Sequence, residues 1–256
     1  MERTLIEYTN KASLHRLSED MVLKRYITED ATERVMQDQR SLLQIQECFG
    51  TVHYKGWKYR IVKLLWLSLD QRALGMEFVS GRPLSKTDRS NMQEAELHCG
   101  IWLGLYHNKM LDGQTQGLIY TDFIVHNIIL DFDKRSVTVI DPGMAWGRQG
   151  YIYEDLLQHI TSMLLVLVIR RKSSFSAVGR FLDGYMQVAN AKLNLVHYYS
   201  GLLRELRRQF LAYSAKSRKK SLFFLMISCL ILPIYVIFIP AFLYRRQSEG
   251  AVPDRN

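Results

Sequence analysis

Cysteine is scarce in this 256-residue chain. Cys48, Cys99 and Cys229 are odd in number and far apart, with no metal-ligand spacing and no disulfide framework, as suits a reducing compartment. The N-terminus, MERTLIEYTNK, lacks the apolar region of a secretory signal. There is no internal repeat and no low-complexity tract, which excludes solenoids and arrays. Acidic residues are in deficit, 25 against 34 Lys and Arg, giving a net charge of +9. Such a balance favours an anionic partner, whether a phosphorylated ligand, anionic lipid or nucleic acid. The basic residues are spread without aromatic interleaving, so nucleic acid is not the expected one. With 48% hydrophobic and 23% charged residues the chain can build a sizeable core, as one large domain or two small ones.

The stretch that organises the rest is Gly117–Trp146, GLIYTDFIVHNIILDFDKRSVTVIDPGMAW. Ile128–Leu130 and Val137–Ile140 are short, apolar and β-branched, as buried strands are. Asp131–Ser136 between them is charged and turn-like, so the two strands should form a hairpin. Asp122, Asn127 and Asp141 stand where it begins and ends, and a loop at 122–127 would let their oxygens converge. One carboxylate can accept a hydroxyl proton, while an amide and a second carboxylate can hold a hard cation. That is the equipment of metal-assisted phosphoryl transfer. Each motif alone is equally readable as a hairpin whose Asp and Asn cap turns.

Asp122-x-x-x-x-Asn127, followed after the hairpin by Asp141-Pro142-Gly143, resembles the catalytic loop and metal-binding turn of the protein-kinase-like phosphotransferases. Its spelling is closest to the branch of aminoglycoside, choline and lipopolysaccharide-core kinases. Two departures stand out: Tyr120-Thr121 replaces the usual His-Gly or His-Arg, and Pro142 replaces Phe. The resemblance implies a two-lobed α+β fold, with a small antiparallel-sheet lobe at 1–79 and a mainly helical lobe carrying the catalytic hairpin at 80–215. It implies ATP and Mg2+ as cofactors, Asp122 as base, and Asn127 and Asp141 as metal ligands.

Earlier in the chain, Leu5–Thr9, Ser13–Leu17 and Met21–Tyr26 read as strands separated by turns. Within MVLKRY, Lys24 matches the strand lysine that grips nucleotide phosphates, and a cation in an apolar strand needs an anion to pair it. The preceding Asn10-Lys11-Ala12 has no glycine, so no Gly-rich phosphate cover is present. Glu29–Glu47 has helical spacing, with Thr28 as a plausible N-cap. Its acids Glu33 and Asp38 are both candidates to pair Lys24, and Asp38 fits the family pattern. Thr51–Tyr54 and Tyr59–Leu69 read as strands. ALGMEFVSGRPL resembles the hinge strand of the superfamily, where Glu77 and Val79 would meet an adenine edge through main-chain groups beside apolar neighbours.

Ser85–Leu111 reads as a helix ended by Asp112-Gly113, with His107 as a packing residue. Ile152–Arg170 is apolar nearly all round, and Asp155 resembles the acid that braces the catalytic loop. Phe175–Leu195 and Tyr198–Tyr213 read as amphipathic helices, the latter with Arg204, Arg207 and Arg208. Ser221–Tyr244 carries no charge, is long enough for a bilayer core and is bracketed by Lys216, Arg218, Lys219 and Lys220 on one side and Arg245 and Arg246 on the other. It reads as a single-pass anchor within 216–256, with the catalytic part in the cytoplasm. Pro233 leaves a re-entrant hairpin open, and a buried core helix is the third reading. The combined expectation is a membrane-anchored kinase-like enzyme acting on a hydroxyl-bearing small molecule, saccharide or lipid-linked acceptor. One rival is a catalytically inactive kinase-like scaffold that binds partners or nucleotide at the membrane, and another is a lipid- or nucleic-acid-binding basic module.

Overall fold

The computed structural model describes residues 4–8, 12–141, 148–170, 175–192, 194–214 and 232–250. Contacts divide the chain into two compact units, Met1–Thr87 with Asp122–Gly147, and Asp88–Thr121 with Arg148–Asn256.

The first unit holds two five-stranded sheets and one helix. Strands β1 (Thr4–Tyr8), β2 (Ala12–Arg16) and β3 (Met21–Tyr26) are followed by helix α1 (Ala31–Cys48). Then come β4 (Thr51–Tyr54), β5 (Trp57–Ile61), β6 (Leu64–Ser68), β7 (Ala73–Glu77) and the two-residue β8 (Arg82–Pro83). The hairpin β10 (Ile128–Asp131) and β11 (Ser136–Val139) completes it. One sheet has the order β1-β2-β3-β7-β6, antiparallel throughout. The other runs β4-β5-β11-β10-β8, and its β5–β11 pair is parallel. That pair seats the hairpin with the sheets, whereas the expected boundary at residue 79 had put it in the helical lobe.

Five of the six buried positions of α1, Ala31, Val35, Asp38, Leu42 and Ile45, recur at three- and four-residue spacing and define one face, with Ser41 beside them. That face covers the first sheet in a core with Ala12, Tyr26 and Leu74. Leu42 and Ile45 are at most 1% exposed, and burying each contributes about 1.5–3 kcal/mol. Thr28 does not cap the helix by its side chain. Asp30 holds the N-cap position, and its carboxylate goes to Arg34 Nε at 2.7 Å instead of to a backbone N–H. The single strand expected over Tyr59–Leu69 is two strands in different sheets, broken at Val62-Lys63 where Val62 N–H donates to Val139 O.

The second unit is helical. Helix α2 (Met92–Leu111) is followed by β9 (Gln116–Leu118), which pairs with β12 (Gln149–Tyr151). Helices α3 (Ile152–Arg170), α4 (Phe175–Val188) and α5 (Leu195–Ser214) come next. Helices α2 and α4 cross with backbones almost touching. A Cβ on Gly100 would lie 1.9 Å from Phe181 O, and one on Gly184 would lie 1.9 Å from Leu97 O. Helix α4 stops earlier than its expected end at Leu195, because Asn108 Nδ2 takes Val188 O at 2.5 Å and Asn108 Oδ1 accepts from Asn190 N–H.

Of the uncharged run Ser221–Tyr244, residues 221–231 lie outside the described residues. The rest forms a π-helical turn, Ile234–Phe238, leading into α6 (Ile239–Gly250). Among the described residues, no helix is long and apolar enough to cross a membrane. Tyr235, Ile239 and Leu243 are at most 2% exposed. Tyr198 Oη donates to Tyr235 O at 2.6 Å, and Thr161 Oγ1 bonds Tyr235 Oη. The described part of the expected anchor therefore packs one face into the helical unit.

Candidate active site

Lys24 sits on β3 between β2 and β7, in register with Leu14 and Leu74. Its Nζ lies 2.8 Å from Asp38 Oδ2 and 2.8 Å from Asp141 Oδ2. Burial works against the ammonium, but Asp141 and Asp38 outweigh it, and the Lys24 pKa stands well above the usual lysine value. Asp38 lies on the core-facing stripe of α1 and is 2% exposed. Burial raises its pKa, opposed by Lys24. Glu33, the other candidate, faces solvent. The choice between them is settled by helix geometry: Asp38 falls three residues after buried Val35 and four before Leu42, on the stripe that faces the sheet.

Asn127 links Asp122 to Asp141 through its amide nitrogen, while the Asp141 carboxylate turns to Lys24. Asn127 Nδ2 donates to Asp122 Oδ2 at 2.9 Å and to Asp122 O at 3.1 Å, and lies 3.4 Å from Asp141 O. The loop is closed by Ile124 N–H to Asp122 O and by Asn127 N–H to Ile124 O, and Ile140 N–H donates back to Asn127 O. One amide thus ties the first carboxylate to the residue bearing the second. Asp141 is 30% exposed at its side chain, so it keeps an open side. Pro142 and Gly143 lie outside the described residues, as do Asn10 and Lys11 of the glycine-free loop.

At the end of β7, the Glu77 carboxylate pairs with Arg60 and accepts from Lys63 N–H at 2.6 Å. Its side chain is thereby turned to the β5–β6 connection, and so is its N–H, which donates to Lys63 O at 3.0 Å. Val79 is buried, and Arg16 stacks over the Phe78 ring at 4.2 Å. Gly81, at φ +111°, brings the chain against β10, and a Cβ there would be 2.3 Å from Leu130 O. Only glycine allows both the backbone and the approach.

The helical unit holds the residues just before Asp122. Asp155, fully buried on α3, accepts Tyr120 N–H and Thr121 N–H at 2.7 Å each. His107 Nε2 is 3.1 Å from the same carboxylate, and His107 Nδ1 is 3.0 Å from Tyr185 Oη. Burial pushes the Tyr185 hydroxyl well up, so it stays protonated and donates to Nδ1, leaving Nε2–H for Asp155. Thr121 itself adopts φ +72°, in the left-handed region that β-branched residues avoid. The two N–H bonds to Asp155 hold it there.

Sequence reasoning missed Tyr26. Its hydroxyl bonds Asp38 Oδ2, and its ring lies under Lys24 Nζ at 5.1 Å. The available signal was spacing: Tyr26 is two residues after Lys24 on one strand, so both side chains leave the same face. Burial is the largest cause raising the Tyr26 pKa, and the hydroxyl remains a donor at any ordinary pH.

Among the described residues, no group of three or more His, Cys, Asp or Glu is placed to hold a metal ion. A magnesium site of one carboxylate and one amide is smaller than that, and takes its other ligands from phosphate and water. The all-oxygen donor set of Asn127 and Asp141 fits such an ion.

No protein-family model matches the sequence, and no curated protein matches it. Solved structures do match by fold. The aminoglycoside-3'-phosphotransferase of type VIII superposes with a TM-score of 0.57 at 13% identity, over 75% of this chain and 88% of that one. The ternary complex of APH(2'')-IIa with streptomycin and ATP gives 0.56 at 12% identity, over 86% and 89%. The amicoumacin kinase hAmiN, in complex with AMP-PNP and Ca2+, gives 0.54 at 12%, over 91% and 87%. The chain has the mixed α+β protein-kinase-like fold shared by these phosphotransferases.

Proposed function

We propose that the protein is an ATP- and Mg2+-dependent phosphotransferase that moves the γ-phosphate to the hydroxyl of a small molecule, a saccharide or a lipid-linked sugar. The observation that carries this reading is the Lys24 ammonium shared by Asp38 and Asp141 at 2.8 Å each, in the same unit as the Asp122–Asn127 pair. Lys24 supplies positive charge for nucleotide phosphates, with Asp38 fixing its position. The Glu77 carbonyl and the Val79 main chain would meet the base, since the Glu77 N–H already donates to Lys63 O. Asn127 and Asp141 would hold Mg2+, which supplies charge to match that developing on the phosphoryl oxygens. Asp122 orients the acceptor and takes its proton as the acceptor oxygen bonds to phosphorus and the bond to the leaving ADP breaks. The neighbours' substrates favour a small-molecule acceptor.

Membrane association belongs to the same proposal, with the site on the cytoplasmic side where ATP is. The charge-free run Ser221–Tyr244 and its basic brackets support it. The packing of Tyr235, Ile239 and Leu243 favours contact with a bilayer surface over a span.

Two measurements test the site. Mg-ATP should raise the melting temperature of the full chain, and Asp141→Ala should abolish that rise. ATP consumption against a panel of sugars, aminoglycosides and membrane lipids should reveal turnover, lowered ~10²–10⁴-fold by Asp122→Asn. Equal turnover in that variant would remove Asp122 as base. A thermal shift without turnover on any acceptor would point instead to a kinase-like scaffold.

A further inference from the structure

Apolar side chains turned to solvent concentrate on two joined elements of the helical unit. On α5, Val196 (73% exposed), Leu203 (69%) and Phe210 lie seven residues apart, with Tyr199 between the first two, so they share one stripe. On the C-terminal segment Val236 and Ile237 (67%) are exposed, while Tyr235 beside them is buried. Tyr199 Oη donates to Val236 O at 3.1 Å, and Tyr198 Oη donates to Tyr235 O, which fixes the second element against the first. Single exposed apolar residues are ordinary, but a stripe continued across two elements marks a contact surface.

The chemistry around the stripe is cationic. Between Lys192 and Lys220 the sequence has eight Lys and Arg and one acid, Glu205. That acid is buried, with Arg208 and Gln209 bonded to it. Arg204 and Arg207 are exposed on α5 next to the stripe. At the N-terminal end of α5, a cavity of about 620 Å³ is lined by Lys192, His197, Asn190, Asn194, Gln114 and Gln116 among others, with no carboxylate in its wall. Cations and amides without an acid suit phosphodiester oxygens.

We propose that this face docks on an anionic bilayer surface, with α5 and the C-terminal segment lying in the interface. The stripe Val196–Tyr199–Leu203–Phe210 and Ile237 would enter the boundary between headgroups and acyl chains, and Arg204, Arg207 and the cavity would meet lipid phosphates. The inference rests on the membrane part of the proposed function and is independent of phosphate transfer. A protein partner would need acids to match the same rim, whereas an anionic leaflet supplies negative charge and apolar depth together.

The test is flotation of the full chain with vesicles of phosphatidylcholine alone or mixed with phosphatidylglycerol. Binding should need phosphatidylglycerol, fall about ten-fold or more in ~0.5 M salt, and be released by alkaline carbonate. Leu203→Glu with Ile237→Glu, both at exposed positions, should lower it by about ten-fold or more. Melting temperature and the Mg-ATP shift should stay unchanged in the double variant, so a failure here is distinct from a failure of the nucleotide site. Four results would each overturn the proposal: no vesicle binding, equal binding to neutral vesicles, binding that resists carbonate as a span would, or a solution dimer that the double variant splits.

Discussion

In the sheet unit the ammonium of Lys24 faces two carboxylates, Asp38 and Asp141, and one of these is 30% exposed. In the helical unit the carboxylate of Asp155 faces three donors, and all four participants are buried. Both clusters are small, polar and enclosed by apolar side chains, yet their stoichiometry points opposite ways. Around Lys24, anions outnumber cations and one partner has an open side, so that side can exchange its ammonium for another cation without unmaking the core. Around Asp155 both carboxylate oxygens are engaged by donors fixed on the segment after β9 or on α2. A group with spare capacity can bind; a group with none can only hold.

The largest effect should come from breaking the second cluster. Asp155→Ala would orphan two buried backbone N–H groups and an imidazole N–H, and we expect a loss of about 5 kcal/mol in unfolding free energy by denaturant titration. Asp141→Ala, measured the same way, should cost under about 1 kcal/mol, since it removes a half-open partner from an over-supplied cation. If both variants lose similar stability, the contrast drawn between the clusters is wrong.

Next in size is Lys24→Met, which leaves Asp38 buried with no cation. The Lys24 pKa is raised in the fold, so its contribution is fully present below the unfolded value near 10.5 and fades only as pH rises through the folded one. Asp38, also raised, favours the fold most below its unfolded value of 3.8 and loses that advantage as pH climbs through its folded value. The variant should therefore lose about 3 kcal/mol at neutral pH and distinctly less at an acid pH low enough for Asp38 to take a proton. Equal losses at both pH values would mean that Asp38 is not left charged.

A smaller change sharpens the picture of the cation. Tyr26→Phe keeps the ring under Lys24 and removes only the hydroxyl bonded to Asp38. We expect about 1.5 kcal/mol lower stability and a several-fold rise in KM for ATP, with kcat little changed. A fall in kcat at constant KM would instead place Tyr26 in the chemical step.

Much of this site was legible because it is local. Asp122, Asn127 and Asp141 are fixed by a loop and a hairpin, and a hairpin's register follows from the turn between its strands. Asp38 was legible only in part: its helix offered Glu33 as well, the resemblance favoured Asp38, and its place on the buried stripe of α1 is what separates the two. What the residues alone did not show is which strands become partners. Nothing in the pattern WKYRI says that β5 will pair in parallel with β11. The run Tyr59–Leu69 looked continuous because apolar alternation does not reveal a change of sheet. The described part of Ser221–Tyr244 carries information that its hydropathy does not. Averaged hydropathy reads Tyr235, Ile239 and Leu243 together with Val236 and Ile237, although the first three are buried and the last two exposed. A face is invisible to an average.

The smallest expected effect concerns Thr121, where the enzymes that the motif resembles have glycine or arginine. At φ +72° a threonine costs about 1–3 kcal/mol, because its branched Cβ crowds the adjoining carbonyl. Asp155 sustains that conformation through the Tyr120 and Thr121 N–H bonds. Glycine would remove the strain but widen the unfolded ensemble by about 0.5–1 kcal/mol. Thr121→Gly should therefore raise stability by about 1 kcal/mol, read as a melting temperature a few degrees higher. The gain should vanish in the Asp155→Asn background if the carboxylate is what enforces the backbone, since a relaxed loop has no strain for glycine to relieve. A gain that persists unchanged there would show that the left-handed turn is imposed by the chain on either side of Thr121, and that Asp155 accepts hydrogen bonds from a conformation it does not create.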